Sequence, residues 1–222
     1  MEGAAASRRG FGWDPAPRRG WVAPAVAAEF PGLGLWWVEV DALPGRSPEP
    51  VLRRLRMLAD RFRGAEAIRL RERPIPWAYR SFFRQIGLDP DRDRTPVERL
   101  ALDRLRDGGF RSRGMPGDAL TIAIVETGVA LRAFDADRLV GEPGIREAAP
   151  GESLGEGAEL VAGTLTIADE RGPVAVLFGP AAEGLRVDAS SRRVAIVATA
   201  VGGVPDIAVE EALWMAATAT AT

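Results

Sequence analysis

Residues 118–139 read DALTIAIVETGVALRAFDADRL, and the change of texture inside this stretch decides the fold class. Asp118 stands where a helix cap belongs, and the apolar run 119–126 is expected as a short helix stopped by Gly128. Strand character begins directly after it, at residues 130–134, and short β segments follow at 145–148, 159–168, 174–178 and 193–200, separated by Gly, Pro and acidic residues. Upstream the pattern is mostly helical. Helices first and strands after, without βαβ alternation, predict an α+β fold in which helices of the N-terminal half pack on mixed, largely antiparallel sheets.

Working upstream, Thr95-Pro96-Val97-Glu98 is a capping box with Pro at the first helical position, so a helix is expected from there to about residue 106, closed by Gly108-Gly109. A helix at 76–86 turns Phe82, Phe83 and Ile86 inward and stops at Gly87. Ser47-Pro48 is read as an N-cap followed by Pro, opening a helix through residue 63. Its apolar positions Val51, Leu52, Leu55, Leu58, Ala59 and Phe62 leave Arg53, Arg54, Arg56, Arg61 and Arg63 off the packed face. LWWVEVD at 35–41 is expected as a strand. Downstream, Pro205-Asp206 opens a last helix with Ile207, Val209, Leu213 and Trp214 toward the core, and the Ala/Thr tail after Met215 is expected to fray. The resulting plan is an irregular Arg/Pro/Gly-rich arm at 1–31, a single domain at 32–218 and a frayed tail at 219–222. Within the domain, 32–74 is a lead-in and 75–200 the core. Phe11, Trp13 and Trp21 lie among Arg8, Arg9, Arg18 and Arg19 in the arm, where they either stack on nucleobases or pin the arm to its own domain.

With 222 residues, 46% of them hydrophobic, the chain can bury a core. No apolar run approaches the roughly 20 residues that span a bilayer, and no secretory signal is read at Met1, so a cytoplasmic protein without membrane contact is expected. Cys and His are both absent. That excludes disulfides, thiolate nucleophiles, imidazole bases and Cys/His zinc sites, and neither metal nor cofactor is expected. Every basic residue is Arg, which removes Schiff-base chemistry. Residues 1–113 carry 22 Arg against 15 acidic residues, and 114–222 carry 7 against 16, a net of +7 followed by −9. Such a basic front half is compatible with a polyanion on one face or with solvated Arg-rich helices. No phosphate loop, dinucleotide fingerprint or nucleophile elbow is present. The pairs Asp135/Asp137 and Asp169/Glu170 read as loop caps.

The order of motifs, more than any one of them, resembles a known family. Residues 119–139, ending in LRAFDADRL, are similar to the segment V-D-V-T-N followed by P-L-H-A-F-D-L-D-K-L in the B3/B4 domain of the phenylalanyl-tRNA synthetase beta subunit. Ile145-Arg146-Glu147-Ala148 through Gly151-Glu152-Ser153-Leu154 resembles I-x-V-R-x-A-x-x-G-E-x-L, LTIAD at 165–169 resembles L-V-I-A-D, and SRRVAIVA at 191–198 falls where T-x-N-V-L-L-E is found. Tyr79-Arg80, with Gly87-Leu88-Asp89-Pro90 and Arg94-Thr95-Pro96, resembles a signature of free-standing members. The resemblance implies a B3/B4-like fold and a partner, the acceptor end of tRNA or an aminoacyl-tRNA. It also implies an activity: editing in trans, by hydrolysis of a mischarged aminoacyl ester. The alternative is a non-enzymatic module that binds a free amino acid or small carboxylate in the same pocket.

The resemblance further implies where a site would lie. Arg132 replaces the histidine of H-A-F-D, Thr121 stands beside the asparagine position, and Gly179 matches a pocket-wall glycine. Arg132, Thr121 and Gly179, with Tyr79 and Arg80, are therefore expected to contact substrate. The glutamate that closes T-x-N-V-L-L-E falls near Val197, so a tyrosine hydroxyl would lack its acceptor, and tyrosine is not the expected substrate. Glu126 and Glu152 are the candidate carboxylates for activating water, and Arg53, Arg54 and Arg56 the candidate tRNA contacts. Each has a structural alternative. Arg132 can pair with Glu152 or Asp135, Gly179 can be a turn glycine in place of an open wall that tolerates Trp, and Tyr79 can be a half-buried packing residue.

Overall fold

Two strands buried on both faces organise the molecule, Gly34–Asp41 and Arg193–Ala200, whose near-continuous Trp/Val/Ile/Ala runs leave no solvent side. The computed structural model describes residues 16–62, 64–157 and 159–221. In chain order the strands are β1 (Arg18–Arg19), β2 (Trp21–Val22), β3 (Gly34–Asp41), β4 (Ala130–Asp135), β5 (Gly144–Glu147), β6 (Leu165–Ala168), β7 (Pro173–Val176) and β8 (Arg193–Ala200). The helices are α1 (Pro24–Glu29), α2 (Glu49–Arg61), α3 (Gly64–Arg69), α4 (Pro74–Gln85), α5 (Pro96–Asp107), α6 (Gly117–Thr127) and α7 (Asp206–Thr220). One sheet has the order β1-β3-β8-β4 and is antiparallel throughout. The other, β2-β5-β6-β7, is antiparallel except for the parallel β2·β5 pair. The fold is thus α+β with mixed, largely antiparallel sheets.

Helix α7 lies on β3 and β8, α6 packs on α7 and β4, and α2 and α5 pack on α6. The main core joins both sheets to α4 and α7, while a second apolar cluster fills the space between α2, α5 and α6 around Leu55, Val97 and Ile122. The α5 capping box forms as expected: Glu98 accepts from the Thr95 backbone N–H at 3.1 Å and Gly108 closes the helix in the left-handed region at φ 75°.

Several expectations are corrected. Residues 18–29 are not irregular, because Arg18 and Arg19 pair with Trp37 and Trp36 of β3, and Trp21 and Val22 pair with β5. The guanidiniums of Arg18 and Arg19 also lie over the Trp37 and Trp36 rings, at 3.7 and 4.2 Å. Trp21 pins this arm by donating to the Glu142 carbonyl at 2.8 Å. Arg8, Arg9, Phe11, Trp13 and Arg63 lie outside the described residues.

Ser47 does not cap α2, which starts at Glu49 after Pro48. Its hydroxyl instead donates to Asp118 at 2.6 Å. Asp118 is not a cap either: it sits inside the first turn of α6, fully buried, and also accepts from Ser112 Oγ and the Arg113 N–H at 2.5 and 2.7 Å. The expected strand at 159–168 is confined to β6, since the residues before it form turns. The C-terminal tail does not fray at Met215. Ala216, Ala217 and Thr220 are buried in α7, whereas Ile207 and Trp214 face outward at 70% and 47% exposure.

Candidate functional site

The tyrosine-arginine pair on α4 turns out to hold the scaffold together. Tyr79 has no exposed surface; its hydroxyl donates to the Thr199 carbonyl at 2.5 Å and accepts from the Ala130 N–H at 3.0 Å, joining α4 to β8 and β4. Burial pushes its phenol well above the usual range. Arg80, only 3% exposed, donates to Glu98 at 2.7 Å, to Asp91 at 2.8 Å and to the Pro90 carbonyl at 3.3 Å. It therefore ties the Asp89-Pro90 turn to the capping glutamate of α5. Neither residue is available to a ligand, which corrects the expectation that Tyr79 and Arg80 contact substrate.

Arg132 and Gly179 do come together. Arg132, on β4, donates from Nη2 to the Gly179 carbonyl at 2.7 Å, and its guanidinium lies 6.0 Å from the Phe134 ring centroid. It pairs with neither Glu152 nor Asp135, for two reasons. Glu152 is gripped by Arg146 through two bonds of 2.6 Å, and Asp135 accepts from Ser191 at 2.6 Å and Arg138 at 3.1 Å. Arg132 Nη1 is buried without an acceptor among the described residues. Burial, with the nearby charge of Arg99 on α5, brings the Arg132 guanidinium down to about 10.

Gly179 closes the turn after β7, its N–H donating to the Val176 carbonyl at 3.1 Å. A Cβ there would meet Val176 Cγ1 at 2.8 Å, so it is a tightly packed turn glycine and no open wall for Trp. Thr121 is buried on α6 and its hydroxyl donates to the Gly117 carbonyl one turn back, at 2.9 Å, so it joins neither Arg132 nor Gly179 through a hydrogen bond.

The two candidate carboxylates occupy different surroundings. Glu152 also accepts from the Ala149 N–H at 2.7 Å, and Arg146 holds its carboxyl below the usual range, the opposite of what a general base near neutrality needs. Glu126 sits at the end of α6 opposite α2, 3.6 Å from Arg54. There it lines a groove of about 540 Å³ with Arg53, Arg54, Arg61 and Met57. Arg56 is turned away from that groove and pairs with Glu49. A second, larger hollow of about 1210 Å³ lies between the 153–160 loop and residues 180–185, with Asp137, Arg138, Asp169 and Arg171 on its walls.

Sequence reasoning missed Arg99. It lies on the exposed side of α5, where an Arg in a charged helix has no distinguishing local signal, yet its Nη2 reaches the Phe178 carbonyl at 3.4 Å, next to the carbonyl held by Arg132. Among the described residues no group of three acidic side chains is placed to hold a metal ion, and no helix is long and apolar enough to cross a membrane.

Comparison with known proteins agrees with this architecture. A family model described as the B3/4 domain matches residues 78–208. Relatives include the phenylalanine–tRNA ligase beta subunits of Methylococcus capsulatus, 39% identical over 94 residues, of Streptomyces avermitilis, 37% over 92, and of Mannheimia succiniciproducens, 38% over 89. These matches cover 37–40% of this chain and 11–12% of the relatives, so the similarity is to one segment of much longer proteins. With more than half of its residues matched by the model and the helix-to-sheet order in place, the chain belongs to the B3/4 domain family.

Proposed function

We propose that this chain is a cytoplasmic aminoacyl-tRNA-binding module that engages the acceptor end and hydrolyses, in trans, a mischarged ester of an amino acid other than tyrosine. Family membership and the tRNA ligase relatives support the partner class. The observation that carries the reading is the α2 groove, in which Arg53, Arg54 and Arg61 face solvent with Glu126 as the one acidic lining residue. Three guanidiniums on one helix face suit a phosphate backbone, and the 3.6 Å pair between exposed Arg54 and partly buried Glu126 is weak enough to yield to a phosphate.

The chemistry asks little of the protein. Water adds to the ester carbonyl, the ester C–O bond breaks and the terminal ribose oxygen takes the proton. With Glu152 gripped by Arg146 and Glu126 placed in the phosphate-binding groove, the chain's part is positioning, and the substrate's own neighbouring hydroxyl assists the water.

Binding of tRNA measured against salt tests the groove. Arg53→Glu with Arg54→Glu is expected to weaken binding strongly and to reduce the slope of log affinity against log salt by about 2. Unchanged binding would remove the groove from the interface. Deacylation of a panel of mischarged tRNAs tests the second half of the reading, which fails if every ester survives at its uncatalysed rate.

A further inference from the structure

We infer that a small hollow between the end of α1 and α4 is a binding site for a short-chain alkylammonium ion. The hollow has a volume of about 100 Å³, shares no lining residue with the α2 groove and includes neither Arg132 nor Gly179. Three polar side chains line it: Glu29, the last residue of α1, and Ser81 and Gln85, one turn apart on α4. Among the described residues none of these three side chains has a hydrogen-bond or ion-pair partner. No arginine lines the hollow either, although the chain carries 29.

The apolar walls are fixed. Phe30 and Phe82 meet edge to face with ring centroids 5.4 Å apart. The Phe30 backbone is held on both sides, its N–H donating to the Val26 carbonyl at 2.9 Å and its carbonyl accepting from the Leu33 N–H at 3.0 Å. Two turns also touch here: a Cβ on Gly202 would lie 3.2 Å from the Pro31 carbonyl oxygen, and one on Gly32 would lie 3.0 Å from Gly202 Cα. Backbone and packed rings therefore set the size of this space. Residues 29–33 precede the segment matched by the family model, so the site depends on the lead-in of this chain.

The lining selects the ligand. A carboxylate with no guanidinium beside it attracts a cation, and neighbouring phenyl rings favour an organic cation over a hydrated metal ion, which needs more oxygen ligands than one carboxylate supplies. A primary ammonium has three N–H donors and no acceptor, one donor each for the Glu29 carboxylate, the Ser81 hydroxyl and the Gln85 amide oxygen. A guanidinium spends its planar donors pairwise on one carboxylate and leaves the other two groups unserved. With about 30 Å³ as the share of one water in the liquid, the hollow takes about three non-hydrogen atoms, the size of ethylammonium.

Titration of the isotope-labelled chain with ethylammonium chloride, followed by amide NMR shifts, tests the site, with sodium chloride at equal ionic strength as reference. A ligand of this size reaches a dissociation constant of about a millimolar at best, so about 1–10 mM is expected. Shifts should concentrate on Ser81, Gln85 with its side-chain amide, and Gly202. Glu29 is exposed at a helix end, so Glu29→Gln should fold normally and weaken binding about tenfold. Tetramethylammonium, which keeps the charge without an N–H, should bind about tenfold more weakly than ethylammonium. Absence of localised shifts, equal shifts with sodium, a Glu29→Gln affinity equal to wild type, or tetramethylammonium binding as tightly as ethylammonium would each overturn the assignment. The Arg53→Glu, Arg54→Glu double variant should bind ethylammonium as wild type does, which separates failure of this site from failure of the tRNA interface.

Discussion

Replacing Arg132 by Met should make the protein more stable, an unusual expectation for a residue with a 2.7 Å hydrogen bond. Burial and Arg99 bring its pKa down from the usual guanidinium range to about 10, and holding the charge at pH 7 then costs about 3 kcal/mol. The side chain keeps some contact with water, which reduces this cost to about 2 kcal/mol. That cost already includes the buried Nη1 without an acceptor. Against it stands the bond to the Gly179 carbonyl, worth about 1–2 kcal/mol. The balance is a gain of up to about 1 kcal/mol, or a rise in Tm of up to about 4 °C for a chain of this size.

Thermal unfolding of wild type and variant, followed from pH 7 to pH 11, measures it. Because the folded-state pKa lies below the unfolded one, the penalty is fully present below about 10 and is relieved as pH rises above it toward the unfolded value, so the two curves should converge in alkali. A variant that melts about 4 °C or more below wild type, or a gap that does not narrow, would refute the reasoning and make Arg132 a structural pin for the turn.

Tyr79→Phe leaves the Thr199 carbonyl and the Ala130 N–H without their buried hydroxyl partner and should cost about 2–3 kcal/mol in urea unfolding. Arg80→Met strands the Glu98 carboxylate at 6% exposure; a loss of about 3–5 kcal/mol is expected, partly restored by adding Glu98→Gln. Glu152→Gln should cost less than about 1 kcal/mol at pH 7. Because Arg146 lowers the Glu152 pKa, its stabilising contribution is present above the unfolded pKa and is lost as pH falls through the folded one. The variant should therefore show a flatter acid limb, and a deacylation rate, where one is found, that does not change.

Local chemistry made much of the fold readable in advance. The Thr95 to Glu98 box, the Gly108 and Gly128 stops and the two apolar strands β3 and β8 each follow from a few neighbouring residues. Ser47 and Asp118 look like caps by the same rules but are partners to each other across 71 positions, a relation that no window of sequence contains. The site was harder for the same reason. Arg132 and Gly179 were singled out by resemblance, and they do meet, yet the upstream motif of that resemblance, Tyr79-Arg80 with Asp89-Pro90 and Arg94 to Pro96, belongs to a structural clamp closed by Glu98. Arg99 sits among many surface arginines, and only its approach to Phe178 across 79 positions distinguishes it.

The pairing of β8 between β3 and β4 also sets the order in which a ribosome can deliver a finished sheet. Residues 34–41 emerge early, with only the short β1 before them to pair with, but their long partner at 193–200 follows some 150 residues later, so the edge of β3 that meets β8 must wait unpaired until nearly the whole chain is made. Expressing only the segment that defines the family, 78–208, would reverse the problem: β8 would keep β4 on one side and present an open Val/Ile-rich edge on the other, with α7 cut off after its third residue. Such an edge is a template for another chain, and the fragment should self-associate more than the whole chain. The lead-in before residue 78, which the family model leaves out, therefore supplies the strand that covers the β8 edge of the matched segment.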